Sequence, residues 1–258
     1  MKYFDTHCHT NLEPLLANAD SVIKECQESQ IILNVVGADL ESSVIAVEQA
    51  NQYDYVYATI GIHPTEIKQD FDYESVFKQF DELLSDNNKH IIGIGETGFD
   101  FHYPGYLKEL QEAFFIRHIE IAKKHRLPLV VHTRDATDDT IRVLKENAQG
   151  LKVIIHCFDG DTNDVVKFNE LGVYYGIGGK ITHKKSGYLV EALKLIPHDK
   201  LLIETDAPWL SPENKRREIN TPKNVIDVQE FINKTLGTDL TSQVFENSIK
   251  LFGINKEN

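Results

Sequence analysis

The sequence predicts an α/β protein, a TIM (β/α)8 barrel, and three observations support this fold class. Eight short apolar runs rich in β-branched residues recur along the chain, and a longer segment with helical spacing follows each of them. The runs are almost continuously apolar, as expected of parallel strands that are covered by helices. The length of 258 residues suits one barrel, and no low-complexity or linker-like stretch divides the chain. We therefore expect residues 1–258 to form a single domain.

The predicted elements alternate along the chain. Strands are expected at Tyr3–His9, Ile31–Gly37, Tyr55–His63, Ile91–Glu96, Pro128–His132, Lys152–His156, Val173–Gly178 and Leu201–Asp206. Helices are expected at Asn18–Ser29, Leu40–Gln52, Tyr73–Ser85, Leu107–His125, Thr137–Asn147, Asp161–Leu171, Ser186–Ile196, Val225–Leu236 and Thr241–Phe252. The stretch Ala207–Asn220 follows the last strand without periodicity, so it is predicted to be an active-site loop.

Composition limits the function and the location. The formal net charge of −13 argues against broad electrostatic adhesion to nucleic acid, but bound cations can supply positive charge locally for a phosphate substrate. No apolar run approaches the roughly 20 residues that span a bilayer, and Asp5 and His7 follow the N-terminus too closely for a secretory segment. The three cysteines lack CxxC spacing, which suits a reducing compartment. We expect a cytoplasmic protein with no membrane contact, and nothing in the sequence indicates an obligate protein partner.

Ligand-type side chains stand at the ends of the predicted strands. His7 and His9 lie two residues apart on the first strand, so both point into one space while Cys8 points away. Later apolar runs are closed by His63, Glu96, His132, His156 and Asp206. One such residue is usually structural, but the strand ends of a barrel meet at one mouth, so this set predicts a metal site. Imidazoles and carboxylates suit two divalent cations, with Mg, Mn, Zn, Ni and Fe as candidates.

Six motifs follow one another along the chain. They are Phe4-Asp5-Thr6-His7-Cys8-His9, Gly61-Ile62-His63-Pro64, Gly95-Glu96-Thr97-Gly98-Phe99-Asp100-Phe101-His102-Tyr103, His132-Thr133-Arg134-Asp135-Ala136, His156-Cys157-Phe158-Asp159-Gly160 and Glu204-Thr205-Asp206-Ala207-Pro208-Trp209-Leu210. In order and spacing they resemble the TatD-type metal-dependent deoxyribonucleases of the amidohydrolase superfamily. The resemblance spans the chain from Phe4 to about Pro222.

The resemblance implies a role for each candidate. One metal ion would be bound by His7, His9 and Asp206. A second would be bound by His132 and His156, and Glu96 would bridge the two. Catalysis falls to Asp206 and Glu96, and the implied substrate contacts are His63, Glu204, Arg134, His102 and Tyr103. A surface ion pair of Arg134 with Asp135 stays open as an alternative, as does a covering role for the aromatic residues of this loop.

The sequence departs from the family pattern in its last loops. The family commonly has an arginine immediately before an Asn-x-Pro sequence, whereas Ile219 precedes Asn220 here. Arg217 and Arg216 lie three and four residues before Asn220, so their contact with phosphate is an open question. His183 stands where the family often has an aromatic residue.

The leading hypothesis is hydrolysis of phosphodiester bonds in DNA by a water that two metal ions activate, with Asp206 taking its proton. A blind cup at a barrel mouth receives a strand end more easily than its middle, and the resemblance favours a 3′-5′ exonuclease on single strands. Phe101, Tyr103 and Trp209 could stack bases. DNA is the expected partner, with RNA and tRNA as further candidates.

Two other functions stay open. The same ions could polarise a carbonyl group, which admits an ester or amide hydrolase such as a D-aminoacyl-tRNA deacylase. A metal-binding scaffold that acts through partners without turnover is the third hypothesis. The variant Asp206→Asn separates it from an enzyme, because a scaffold would keep its effect without this carboxylate.

Overall fold

The protein is described here by a computed structural model that covers residues 1–70, 72–85 and 88–254. Eight strands form one parallel sheet in chain order. They are β1 (Tyr3–Cys8), β2 (Ile31–Val36), β3 (Val56–Ile60), β4 (Ile91–Asp100), β5 (Leu129–Arg134), β6 (Val153–Ile155), β7 (Tyr174–Ile177) and β8 (Leu201–Ile203). The segment after β8 returns to β1, because Asp206 N donates to His7 O at 2.9 Å and His9 N donates to Ala207 O at 2.8 Å. The predicted barrel is thereby confirmed.

Helices cover the outside of the sheet and lie close to their predicted positions. They are α1 (Ala19–Glu28), α2 (Leu40–Gln52), α3 (Tyr73–Ser85), α4 (Lys108–His125), α5 (Thr137–Asn147), α6 (Thr162–Asn169), α7 (Gly187–Leu193), α8 (Val225–Leu236) and α9 (Thr241–Phe252). Local chemistry sets several ends: the Asp39 side chain accepts from Ser42 N at the start of α2, and Gly237 ends α8 in a left-handed conformation. In the described residues, no helix is both long and apolar enough to cross a membrane.

The strand ends differ from prediction at the mouth of the barrel. β4 runs on to Asp100, past the predicted end at Glu96, because Phe99 and Asp100 pair with β5. β8 ends at Ile203, and Ala207–Asn220 contains only a short 3-10 turn. The carboxyl ends of the strands and this long loop therefore surround one opening.

Two apolar layers hold the barrel together. Alternate residues of a regular strand belong to different layers: in β5, Leu129 and Val131 face the helices, whereas Val130 faces the interior. The inner layer combines strand residues with the last helix, and it comprises Phe4, Ile32, Ile92, Val130, Ile154, Tyr174, Leu202, Ile249, Leu251 and Phe252. The end of α9 thus fills the barrel floor and leaves the opposite, carboxyl-terminal mouth open for polar side chains.

Candidate metal centre

Glu96 lies at the centre of four histidines in the mouth of the barrel. Its Oε1 lies 3.6 Å from His7 Nε2 and 3.8 Å from His9 Nε2. Its Oε2 lies 3.2 Å from His156 Nε2 and 3.7 Å from His132 Nδ1. The two oxygens of one carboxylate therefore face two separate pairs of imidazoles.

Asp206 adds a second carboxylate to the first pair. Its Oδ1 lies 3.4 Å from His9 Nε2 and 4.0 Å from His7 Nε2. The side chain of Asp206 is 14% exposed, whereas that of Glu96 is 5% exposed. Asp206 therefore stands between the buried cluster and the open mouth.

An irregularity in β1 turns both histidines of this strand into the mouth. Phe4 points into the barrel, and strict alternation would send His7, three residues later, to the outer face. The pairing of β1 with β2 shifts between Asp5 and Cys8, and such a bulge changes the phase. The buried Asp5 carboxylate stabilises this bend by accepting from His7 N at 3.3 Å and from Thr205 N at 2.9 Å. Sequence reasoning gave Asp5 no role.

Glycine at position 95 allows Glu96 to reach the cluster. Gly95 has a φ of +130°, and a Cβ on it would lie 2.3 Å from Val130 O. On the other side, a Cβ on Gly61 would lie 2.3 Å from the Gly95 carbonyl carbon. The backbones of three neighbouring chain segments thus approach so closely that no side chain fits between them.

Hydrogen bonds behind the histidines decide which ring nitrogen faces the centre. His9 Nδ1 donates to Val36 O at 2.8 Å, and His156 Nδ1 lies 3.0 Å from Glu204 Oε1, so both rings present Nε2. His132 is turned the other way, because its Nε2 lies 3.0 Å from Asp100 Oδ2 and leaves Nδ1 towards Glu96. Partners of this kind orient metal ligands and raise their basicity. Asp100 was also missed by sequence reasoning, although it belongs to the third motif.

The donor set fits divalent cations. Four groups of three side chains bring ligand atoms within 4.8 Å of one another: His7, His9 and Glu96; Glu96, His132 and His156; His7, His156 and Asp206; and His63, Asp100 and His132. Within the described chain, Glu96 Oε2 is buried and makes no hydrogen bond, although His156 Nε2 lies 3.2 Å away. A buried carboxylate oxygen without a hydrogen bond is costly unless a neighbouring cation neutralises it. Nitrogen and oxygen donors in this arrangement can therefore hold metal ions.

The charges of the cluster are strongly coupled. Burial opposes ionisation of Glu96, but its interactions with the nearby imidazoles of His156, His63 and His7 outweigh it and hold the pKa of Glu96 well below its usual range. Burial likewise lowers the pKa of His156, yet the carboxylates of Glu204 and Glu96 raise it overall to about 10. A metal ligand must lose this proton, so metal ions and protons compete for the cluster.

Two buried polar residues of α4 fasten the strands that carry the centre. His118 Nε2 accepts from Ile62 N at 3.1 Å, next to His63. Gln111, two helical turns earlier on the same face, accepts from Asp100 N at 3.1 Å and donates to Asp100 O at 3.2 Å. Helical spacing in the sequence places His118 on the apolar face of this helix, with Leu110, Phe114 and Ile121. Gln111 and His118 are two polar residues seven positions apart on an otherwise apolar helix face, and this spacing could have revealed their buried hydrogen bonds from the sequence.

The predicted substrate contacts fall into three places. His63 lies at the edge of the cluster, with Nε2 3.2 Å from His132 Nδ1, and its Nδ1 accepts from Thr65 N at 3.2 Å. Glu204 is fully buried behind His156. Its position therefore suits a residue that orients the His156 ring better than one that contacts the substrate, which was the predicted role.

The other three predicted contacts lie together on the rim between β4 and β5. His102 Nδ1 lies 3.1 Å from Asp135 Oδ2, and the Arg134 guanidinium lies 5.4 Å from the centre of the Tyr103 ring. Tyr103 is 57% exposed. These residues therefore form a surface group at the mouth, apart from the histidine cluster.

The loop after β8 is held by Asn220. Its Nδ2 donates to Thr205 O at 2.8 Å and also to Trp209 O. The ring of Trp209, 49% exposed, lies with its centre 5.1 Å from that of His9. Asn220 thus fixes the path of a loop that places an exposed aromatic ring beside the metal centre.

The barrel and this cluster define the class of the protein: it is a metal-dependent hydrolase. Residues 4–253 match the family model of the TatD related DNases. The chain belongs to the TatD family, which confirms the resemblance found in its motifs.

Related proteins agree with this assignment. The chain is 39% identical to an uncharacterized metal-dependent hydrolase of Mycoplasma genitalium, over 98% of this chain and 99% of the relative. It is 35% identical to the uncharacterized metal-dependent hydrolase YabD of Bacillus subtilis, over 98% of this chain and 99% of the relative. The crystal structure of the TatD homologue YjjV of Escherichia coli shares the fold with a TM-score of 0.90, at 22% identity over 98% of this chain and 99% of that one.

Proposed function

We propose that the protein hydrolyses phosphodiester bonds of single-stranded DNA from the 3′ end, with two divalent cations per chain. The observation that carries this proposal is the position of Glu96, whose two oxygens face His7 with His9 and His132 with His156. A carboxylate between two sets of ligands is the arrangement expected for a pair of metal ions. The description of the matching family as DNases supports DNA as the substrate.

His7, His9 and Asp206 would hold one ion, His132 and His156 would hold the other, and Glu96 would contribute to both. When bound, divalent cations lower the pKa of water and stabilise negative charge on a phosphoryl oxygen. The protein contributes fixed positions, because each histidine except His7 has a hydrogen bond that sets its ring.

Asp206 is the proposed general base. Burial opposes its ionisation, but the hydrogen bond from His9 and the charges of the other histidines keep its pKa below the usual value. Its Oδ atoms are therefore ionised at neutral pH, and they lie at the open side of the cluster where a water and a substrate can enter. The proton taken there can return to the leaving alkoxide.

His63 is the proposed contact to the phosphate. Burial and the neighbouring His132 lower its pKa to about 3, so its ring is neutral at pH 7. Because Thr65 N donates to its Nδ1, the proton resides on Nε2. Nε2 can then donate a hydrogen bond to a phosphate oxygen at the edge of the cluster. His102, Tyr103 and Arg134 are proposed as contacts of the same substrate further out on the rim.

The test compares wild type with Asp206→Asn and with the control Asp199→Asn, an exposed aspartate at the far end of β8. Each protein is incubated with Mg²⁺, Mn²⁺ or Zn²⁺ and with 5′-labelled single-stranded DNA, RNA or D-aminoacyl-tRNA. We expect progressive shortening of DNA from its 3′ end by wild type and the control, and none by Asp206→Asn.

Other outcomes would contradict the proposal. Release of D-amino acids without loss of DNA would favour the deacylase hypothesis. Absence of hydrolysis with every ion and substrate, in a folded protein that binds metal, would favour the scaffold.

We also propose a cytoplasmic location. Cys8, Cys26 and Cys157 are free thiols, which suits a reducing compartment.

A further inference from the structure

The loops after β7 and β8 pack against each other beside the metal centre. His183 Nε2 donates to Ser211 O at 2.9 Å, and Glu213 N donates to Thr182 Oγ1 at 2.8 Å. These bonds join the segment after β7 to the loop that follows Asp206. The two loops therefore form one continuous edge of the mouth.

This edge carries a basic rim, which we define as Lys184, Lys185, Arg216 and Arg217. All four side chains are exposed. Arg216 lies 3.5 Å from Glu213, whereas no ion pair within the described chain neutralises Lys184, Lys185 or Arg217. Lys215, in contrast, is bound to Asp227 at 2.7 Å and anchors the loop to α8. Three of the four charges of the basic rim thus have no ion-pair partner within the described chain.

The neighbouring edge of the mouth is acidic. The cleft between the loops after β5 and β6, which Lys180 of the loop after β7 also lines, holds five aspartates and three cations, namely Asp135, Asp138, Asp139, Asp159, Asp164, Arg134, Lys167 and Lys180. Two of these cations are already paired, Lys167 with Asp138 and Lys180 with Asp159. In a chain whose net charge is −13, the part of a polyanion that extends beyond the reacting phosphate is attracted more strongly to the basic rim than to this cleft, where Arg134 is outnumbered by aspartates.

Trp209 lies on the same loop as Arg216 and Arg217, next to the metal centre. Its exposed ring contacts His9, so a base beside the reacting phosphate can stack on it. Stacking on Trp209 would direct the rest of a strand along the loop after β8. The aromatic ring and the basic rim therefore lie on one side of the mouth.

We propose that the basic rim binds the phosphate backbone of a single DNA strand whose 3′ end occupies the metal centre. The strand enters past Trp209 and leaves over the loops after β7 and β8. This inference rests on the proposed function, and it adds the direction of the strand and the residues that hold it.

The test measures binding, so that it does not depend on turnover. The rim variant combines Lys184→Gln, Lys185→Gln and Arg217→Gln. A matched control combines Lys123→Gln, Lys234→Gln and Lys250→Gln, which removes the same charge from exposed lysines near the carboxyl ends of α4, α8 and α9. Fluorescence anisotropy of metal-loaded protein with a 5′-labelled phosphorothioate oligothymidylate, about 15 nucleotides long, gives Kd from about 0.05 to 1 M salt.

Three lost phosphate contacts should reduce the slope of log Kd against log salt by about 2, since each contact to a single strand contributes about 0.7. At about 0.1 M salt this corresponds to a Kd that rises about 100-fold, and the difference should vanish near 1 M. The control should bind like wild type, and all three proteins should hydrolyse bis(4-nitrophenyl) phosphate equally, because that ester is too short to reach the rim.

The proposal would be overturned if the rim variant and the control showed the same Kd and slope, or if wild type did not bind the oligonucleotide. Binding that depends on the rim, in a protein that hydrolyses no phosphodiester, would support the rim and contradict the proposed function. The two inferences can therefore fail separately.

Discussion

The substitution Gly95→Ala would test how tightly the backbone around Glu96 is fixed. The new Cβ would lie 2.3 Å from Val130 O, and β4 would have to move by about 1 Å to restore an ordinary contact. Because the Gly61 backbone contacts the Gly95 backbone closely on the other side, β4 has little room for that movement. A displacement of about 1 Å at a catalytic group can cost roughly 100-fold in rate.

The positive φ of Gly95 adds a cost of its own, about 1–3 kcal/mol for a residue with a side chain. Gly150→Ala is the matched control, since Gly150 has a φ of +83° and a Cβ there would meet no atom within 4 Å. Both variants should therefore show a lower free energy of unfolding in urea, because each places a side chain on a residue with a positive φ. Only Gly95→Ala should also lose bound divalent metal and, by about 100-fold, the kcat/KM for a phosphodiester.

Normal metal content and activity in a stable Gly95→Ala protein would refute this reasoning. It would mean that Glu96 reaches the cluster without the close approach of the backbones. Equal losses of metal in both variants would also refute it, because the φ cost alone would then explain the result.

Three further outcomes are expected. Glu204→Gln should weaken metal affinity about 10- to 100-fold in a calorimetric titration because His156 loses its orienting carboxylate, and unchanged affinity would contradict this role. Burial lowers the pKa of His118 to about 4, so its contribution to stability is complete above the unfolded pKa of about 6.5 and is lost as pH falls towards 4. Urea midpoints of wild type should therefore fall more steeply between about pH 7 and 5 than those of His118→Gln, and parallel curves would contradict the assignment. Removal of metal by a chelator should lower the thermal midpoint and abolish hydrolysis, and divalent but not monovalent ions should restore both.

The alternation of strands and helices was predictable because it depends on local patterns. Apolar runs of strand length, and amphipathic stripes such as that of α3, can be recognised from residues that lie close together in the sequence. Parallel strands joined by helices have few possible arrangements, so the barrel and the position of His63, His132 and His156 at its mouth followed from the order of the elements.

The orientation of side chains was not predictable to the same degree. Alternation alone cannot place Phe4 inside the barrel and His7 in its mouth, because the bulge of β1 intervenes. The extension of β4 to Asp100 likewise depends on its pairing with β5, which the local sequence does not show. Such features result from contacts between neighbouring strands.

The sequence by itself determined the fold class and the ligand-type residues at the strand ends, since periodicity and residue chemistry are local properties. Only the tertiary structure decided that Asp100 and Glu204 orient His132 and His156, and that His118 of a distant helix fastens the end of β3. The physical reason is the same in each case. A buried polar side chain must find a partner, and the identity of that partner depends on packing between segments far apart in the chain.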